Sequence, residues 1–202
     1  MRLFYSPGAC SLAPHIILRE FEQVFDLERV DFTTKKTETG RDFNRVNSKG
    51  CVPALELANG EVLTETSAIL QYIADINNPA DVASRADTLD RARLQEHLSF
   101  ISTELHKAFD PLFTADASRE TKEAAPLNVA RKLDHIQTIM ADGRRYLLGN
   151  TFSVADAYLF VVSNWTKPTG LDLGRWPDVV TFAERVGARP SVIAAKLAEG
   201  RG

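Results

Sequence analysis

The sequence predicts an α/β N-terminal domain of order β-α-β-α-β-β-α, followed by an all-helical C-terminal domain. Three observations predict it. Short β-like runs alternate with helical patterns over residues 1–78. A polar stretch containing proline, "NNPADVASRAD" (77–87), then interrupts the pattern and reads as a linker. Beyond it, in residues 87–202, no strand signal appears and apolar residues recur only at helical spacing. Alternating β and α elements imply a mixed sheet covered by helices.

Each element has a local reason. "RLFY" (2–5) is a short apolar strand, and "LAPHIILREF" (12–21) is a helix that tolerates Pro14 only in its first turn. "FDLERVDF" (25–32) alternates like a strand, with Phe25, Leu27 and Val30 apolar, and "DFNRVNSKG" is a weak helical turn and loop. "VPALEL" (52–57) and "EVL" (61–63) form a hairpin across "ANG", where Asn59-Gly60 supplies positive φ. "ETSAILQYIADI" (65–76) is helical, with Ala68, Ile69, Tyr72, Ile73 and Ile76 on its apolar side and Thr64 as its cap. In the second domain Leu94, Leu98, Ile101, Leu105, Phe109 and Leu112 mark one helical face. Leu127, Ala130, Leu133, Ile136 and Met140 mark another. "SVADAYLFVVSNW" (153–165) is apolar on nearly every side, so it predicts a central buried helix. "PDVVTFAERVG" and "PSVIAAKLAEG" each begin at proline and end at glycine, the usual helix punctuation.

Composition narrows the function classes. The 202 residues are 44% hydrophobic and 25% charged, enough for a sizeable core, with a net charge of −3. No Lys/Arg cluster exceeds two or three residues, which argues against nucleic acid and anionic membranes. Pro7, Gly8 and Pro14 break any signal-peptide core, and no apolar run is long enough for a bilayer. Two cysteines are no disulfide framework, so the expected location is the reducing cytoplasm.

Chemistry concentrates at a few positions. Cys10 lies between a strand end and a helix start, where open α/β sheets place ligands. The positive end of the helix dipole there predicts a lowered thiol pKa; the alternative is a buried cysteine acting as a small apolar filler. No cysteine follows at position 13, so any redox chemistry of Cys10 needs an outside thiol. In "GCVPAL" Pro53 sits at a strand start, and its bond to Val52 can be cis. "TETSA" opens a helix whose free N–H groups suit a carboxylate, while Glu65 suits a ligand amine or is mere dipole decoration. Ser99, Thr103 and His106 in "HLSFISTELHK" fall within about 60° of one another at 100° per residue, clear of the apolar stripe. No other residue accompanies His106 at metal-ligand spacing, so no metal is expected. Ser153 and Asp156 in "FSVAD" form a capping box, a structural pair rather than a catalytic one.

Taken together and in order, "FYSPGACSLAPHIILRE", "KKT", "GCVPALEL", "TETSAILQYIAD", "TELHKAF" and "FSVADAYLF" resemble the bacterial beta-class glutathione S-transferases. The resemblance covers essentially the whole chain. The A-C-S-L stretch with T-E-L-H-K separates this class from those built on tyrosine or serine. It implies a thioredoxin-like first domain, a homodimer, and glutathione as co-substrate. It implies Cys10 at the glutathione sulfur, able to form a mixed disulfide, flanked by Ala9 and Ser11. Lys35 is implied near a glutathione carboxylate, Val52 as a backbone partner beside cis Pro53, and Glu65 with Thr66 at the γ-glutamyl end. His106 is implied near the sulfur with Lys107 close by, on the helix face that carries Thr103. Ser99 stands where the family carries asparagine, and Tyr5 is given no role. Phe113, Trp165 and Thr166 are implied to line the site for a hydrophobic electrophile. Cys51 departs from the family pattern, either as a resolving thiol for Cys10 or as a loop substitution. The activities expected are glutathione conjugation, thiol–disulfide or peroxide reduction through Cys10, or non-enzymatic binding of apolar ligands.

Overall fold

The computed structural model describes residues 1–77 and 87–200. The linker expected at 77–87 falls almost wholly outside the described residues. Residues 1–77 with 188–200 form one compact unit and residues 87–187 a second. The sequence assigned the last fifteen residues to the helical domain; the structure packs those it describes onto the first unit instead.

The first unit is built on five strands in the order β3-β2-β1-β4-β5. They are β1 (Arg2–Tyr5), β2 (Asp26–Asp31), β3 (Lys36–Thr37), β4 (Ala54–Glu56) and β5 (Val62–Thr64). β1 lies in the centre, parallel to β2 and antiparallel to β4, with Leu3 opposite both Leu27 and Leu55. The two-residue β3 is an addition to the expected order, because "KKT" is too short to alternate. Helix α1 (Leu12–Glu20) makes the crossover from β1 to β2 and packs against α3 (Thr66–Asn77). One face of the sheet is closed by Phe4, Val30, Phe43, Val52 and Ala54, with Phe43 supplied by the short helix α2 (Phe43–Val46).

Two expectations shift in α3. Its buried stripe is Ile69, Leu70, Ile73 and Ala74, whereas Ala68 and Ile76 are exposed. Thr64 ends β5 instead of capping the helix, and the turn is made by Glu65 at φ +68°.

The elements of the second unit are helices, and its β pairing among the described residues is a single isolated bridge, Tyr146 to Gly149. Helix α4 (Leu89–Phe100) runs through a π-helical turn (Ile101–Leu105) directly into α5 (His106–Phe113). It is followed by α6 (Arg119–Met140), α7 (Val154–Ser163), the short α8 (Thr166–Thr169) and α9 (Pro177–Gly187). All ten residues of α7 are buried, as its all-round apolarity predicts. Leu127 departs from the expected core and is exposed; α6 buries Ala125 and Val129 on the turn instead.

At the start of α7 the capping box forms. Asp156 is fully buried and accepts the Leu147 N–H at 2.8 Å, the Ser153 N–H at 2.7 Å and the Ser153 hydroxyl at 2.6 Å. Burial outweighs these bonds and pushes its carboxyl up to about 6. The last helix, α10 (Pro190–Ala198), belongs to the first unit and packs along α1.

Candidate functional site

In the first unit, chain direction and turn chemistry bring several of the expected residues to one place. β1 ends at Tyr5, the turn passes through Gly8 at φ +74°, and α1 begins after Ser11. Cys10 is left just ahead of the helix. Its Sγ donates to the Val52 carbonyl at 3.3 Å, and Val52 is joined to Pro53 by a cis peptide. The Thr66 side chain, at the start of α3, also acts on the Cys10 thiol and lowers its pKa. A thiol, the start of a helix and the backbone of a cis-proline turn therefore meet at one point.

The thiol does not titrate as the sequence suggests. Cys10 is only 9% exposed, and burial pushes its pKa up to about 11. The Thr66 side chain and the backbone N–H groups of Cys10 and Ser11 pull the other way, but less. Desolvation wins over the helix end because the charged form loses its water. Cys10 is thus a protonated donor to Val52 near neutral pH.

The neighbouring loop is tied down at successive carbonyls. The Lys35 ammonium donates to Gly50 O at 3.1 Å, the Asn47 amide to Cys51 O at 2.7 Å, and Cys51 Sγ to Lys49 O at 3.4 Å. Gly50 sits at φ +64°, and a Cβ there would come within 3.2 Å of Asn44 Oδ1 and 3.6 Å of Lys35 Nζ, so only glycine fits without displacement. Cys51 is exposed and unbridged while Cys10 is buried. Glu65 is exposed and held by the Lys49 ammonium at 2.6 Å, so in this state its carboxylate carries a cation. Ala9 is half-buried beside Cys10. The Ser11 hydroxyl turns back to its own turn, on the N–H and carbonyl of Ser6, and so is directed away from any outside ligand.

The second unit assembles the rest. The 100° pitch used to place Ser99, Thr103 and His106 on one face fails across the π turn, where the His106 N–H reaches back to Ile101 O. Ser99 and Thr103 are exposed, with the Thr103 hydroxyl on Ser99 O at 3.0 Å. His106 instead leans into an aromatic group. Its Nδ1 is 2.7 Å from the Tyr158 hydroxyl, and its ring meets Trp165 edge-on at 4.7 Å. Its Nε2 is 4.0 Å from Asp110, which also receives Lys107 at 3.0 Å. Trp165 in turn packs edge-on against Phe109 and Phe113, and Phe113 is 53% exposed. Thr166 is fully buried, its hydroxyl on Ser163 O, so it presents nothing to an apolar ligand. Among the described residues no His/Cys/Asp/Glu group could hold a metal ion, and no helix is long and apolar enough to cross a membrane.

Sequence reasoning missed Lys49 and Tyr158. Nothing in "NSKG" points to Glu65. Tyr158 did carry a signal: a hydroxyl on an otherwise apolar helix must find a partner.

Two families of sequence description match the chain: "Glutathione S-transferase, N-terminal domain" over residues 8–76 and "Glutathione S-transferase, C-terminal domain" over residues 100–190. The chain is 42% identical over 200 residues to a glutathione S-transferase of Escherichia coli O157:H7, covering 99% of each. It is similar to the solved structure of a sphingomonad glutathione S-transferase complexed with glutathione, with a TM-score of 0.95, 48% identity and full coverage of both chains. It is similar also to the beta-class glutathione S-transferase of Sphingomonas chungbukensis, with a TM-score of 0.96, 50% identity and full coverage of both chains.

Proposed function

The chain is a beta-class member of the glutathione S-transferase family, and from that premise we propose how its own residues conjugate glutathione to hydrophobic electrophiles. The observation that carries the reading is the meeting of Cys10, Thr66 and the cis Val52–Pro53 backbone. Glutathione offers two carboxylates, an amine and a thiol. The N-terminus of α3 at Thr66 takes the γ-glutamyl carboxylate, and Glu65 takes the amine once Lys49 gives way. Lys35 serves the glycine carboxylate, and the Val52 backbone pairs with the cysteinyl segment.

Cys10, held as a neutral thiol, turns its S–H from the Val52 carbonyl to the bound glutathione sulfur and favours its thiolate form. In the helical unit Asp110 faces the His106 Nε2 and favours a proton there, which leaves Nδ1 to accept from the Tyr158 hydroxyl. The thiolate then attacks the electrophile, whose leaving group departs with the electron pair of the broken bond. The exposed Phe113 and the edge of Trp165 receive the apolar part of that electrophile.

Two further parts of the reading follow from the family: a homodimer and a cytoplasmic location. Light scattering at micromolar concentration checks the first, the expected result being twice the chain mass and the contrary one a monomer. Once its proton has passed to solvent, the Cys10 thiolate forms a mixed disulfide with glutathione by displacing one thiolate from oxidised glutathione. A thiol–disulfide reductase activity through that adduct is the second reading, favoured by a cysteine where other classes use tyrosine or serine.

The function itself is tested by calorimetric titration with glutathione and by conjugation of a nitroaromatic chloride. Saturable binding and turnover are expected; absence of both contradicts the reading. Phe113→Ala is expected to raise KM for the electrophile about fivefold, in proportion to the apolar surface lost, and to leave KM for glutathione unchanged.

A further inference from the structure

Outside the residues just discussed, the first unit contains a buried polar chain that links the end of α10 to the turn carrying Cys10. Glu199 follows α10, and its carboxylate side chain is fully buried. Its Oε2 accepts the Gly8 N–H at 2.9 Å. Its Oε1 lies 2.9 Å from His15 Nδ1, and His15 is fully buried too. On the far side of the ring, Arg19 Nε donates to His15 Nε2 at 3.2 Å. A guanidinium cannot accept, so Nε2 is the acceptor and the ring proton sits on Nδ1, directed at Glu199. Guanidinium, imidazole, carboxylate and glycine amide thus form one directed line of hydrogen bonds.

We propose that Glu199 is a positioning residue for the glutathione site: it fixes the Gly8 turn and thereby the place of Ala9 and Cys10. This rests on the reading that this turn receives glutathione. Gly8 is in the left-handed region at φ +74°, in a turn closed by its own backbone bond, the Ala9 N–H on Ser6 O at 3.0 Å. Two side chains hold that turn in place. The Ser11 hydroxyl holds Ser6 at one end of the turn, and Glu199 holds Gly8 in the middle.

Docking of α10 does not by itself explain a buried carboxylate. At its other end, Arg189 and Ser191 both bond to Glu20 of α1. The helix also packs along α1 over its length. Replacing a buried charge by an apolar group is often neutral for stability, so the charge here is better explained by what it aims at. Loss of the carboxylate frees the turn while leaving the helix seated.

The test compares Glu199→Gln with wild type and with Glu20→Gln, which loosens the opposite end of the same helix. Glutathione and the electrophile are varied separately. For Glu199→Gln, KM for glutathione is expected to rise about tenfold, as one lost charge-assisted bond allows, with KM for the electrophile unmoved. Glu20→Gln is expected to lower the melting temperature and move neither KM. If Glu199→Gln does not fold, Arg19→Met carries the same comparison through the outer link, with a rise of about threefold in KM for glutathione. An unmoved KM for glutathione, or an equal change in Glu20→Gln, overturns the proposal alone. A wild type that does not bind glutathione in calorimetry overturns it together with the function on which it rests.

Discussion

Asp156→Ala is expected to cost about 3–5 kcal/mol of folding free energy, read by urea unfolding at pH 7. The side chain is fully buried and accepts three hydrogen bonds, so its removal leaves the Leu147 and Ser153 N–H groups unpaired inside the protein. It also removes the cap of α7, the helix whose every residue is buried. A loss under about 1 kcal/mol contradicts this account, since that is the scale of an ordinary exposed cap. The sign with pH follows from the raised carboxyl. Its ordinary value is 3.8 and its folded value about 6, so between them the folded protein keeps a proton that the unfolded chain has released. The contribution of this group is therefore greatest below pH 3.8 and falls as pH rises through about 6. The stability of wild type relative to Asp156→Asn is expected to decline across that window.

Cys10→Ala is expected to reduce glutathione-dependent disulfide reduction at least a hundredfold, because no second thiol lies in the buried site. Conjugation is expected to fall less than about tenfold, since the nucleophile there is the thiol of glutathione itself and the start of α3 still takes its γ-glutamyl carboxylate. With the Cys10 thiol near 11, its own alkylation is expected to quicken about tenfold per pH unit from neutrality upward. A rate that levels off below pH 8 contradicts the burial argument. Equal loss of both activities contradicts the division of labour between Cys10 and the bound thiol.

The fold was legible wherever period and punctuation agree. β1 and α1 followed from "RLFY" and an early proline, and α7 from apolar residues on all sides. The Ser153–Asp156 cap was legible because its two members stand three residues apart. β3 was not, because two residues carry no period. The place of α10 was not, because nothing local says which unit a capped amphipathic helix will join. At the site, Cys10 and the Val52–Pro53 turn were legible from their places at element ends, and Thr66 only through the family resemblance. The state of the thiol was not, since burial depends on the whole unit while a dipole argument sees only one helix. His106 was found by type but not by orientation, because a π turn leaves no mark in the apolar spacing that an α pitch can detect. Long-range pairs such as Lys49–Glu65 and Glu199–Gly8 are set by topology and have no local trace.

The central claim is that Cys10 stands at the sulfur of bound glutathione. Its most direct measurement is the intact mass of wild type, Cys10→Ser and Cys51→Ser after incubation with oxidised glutathione, before and after reductant, at neutral and alkaline pH. One reversible glutathionyl group is expected on wild type and on Cys51→Ser, slow at neutral pH and faster as pH rises. Cys10→Ser is expected to lack that group, any faster adduct at neutral pH belonging to the exposed Cys51. An adduct that forms only through Cys51, with none on Cys10 even at alkaline pH, would contradict the claim and make Cys10 a buried filler beside Val52.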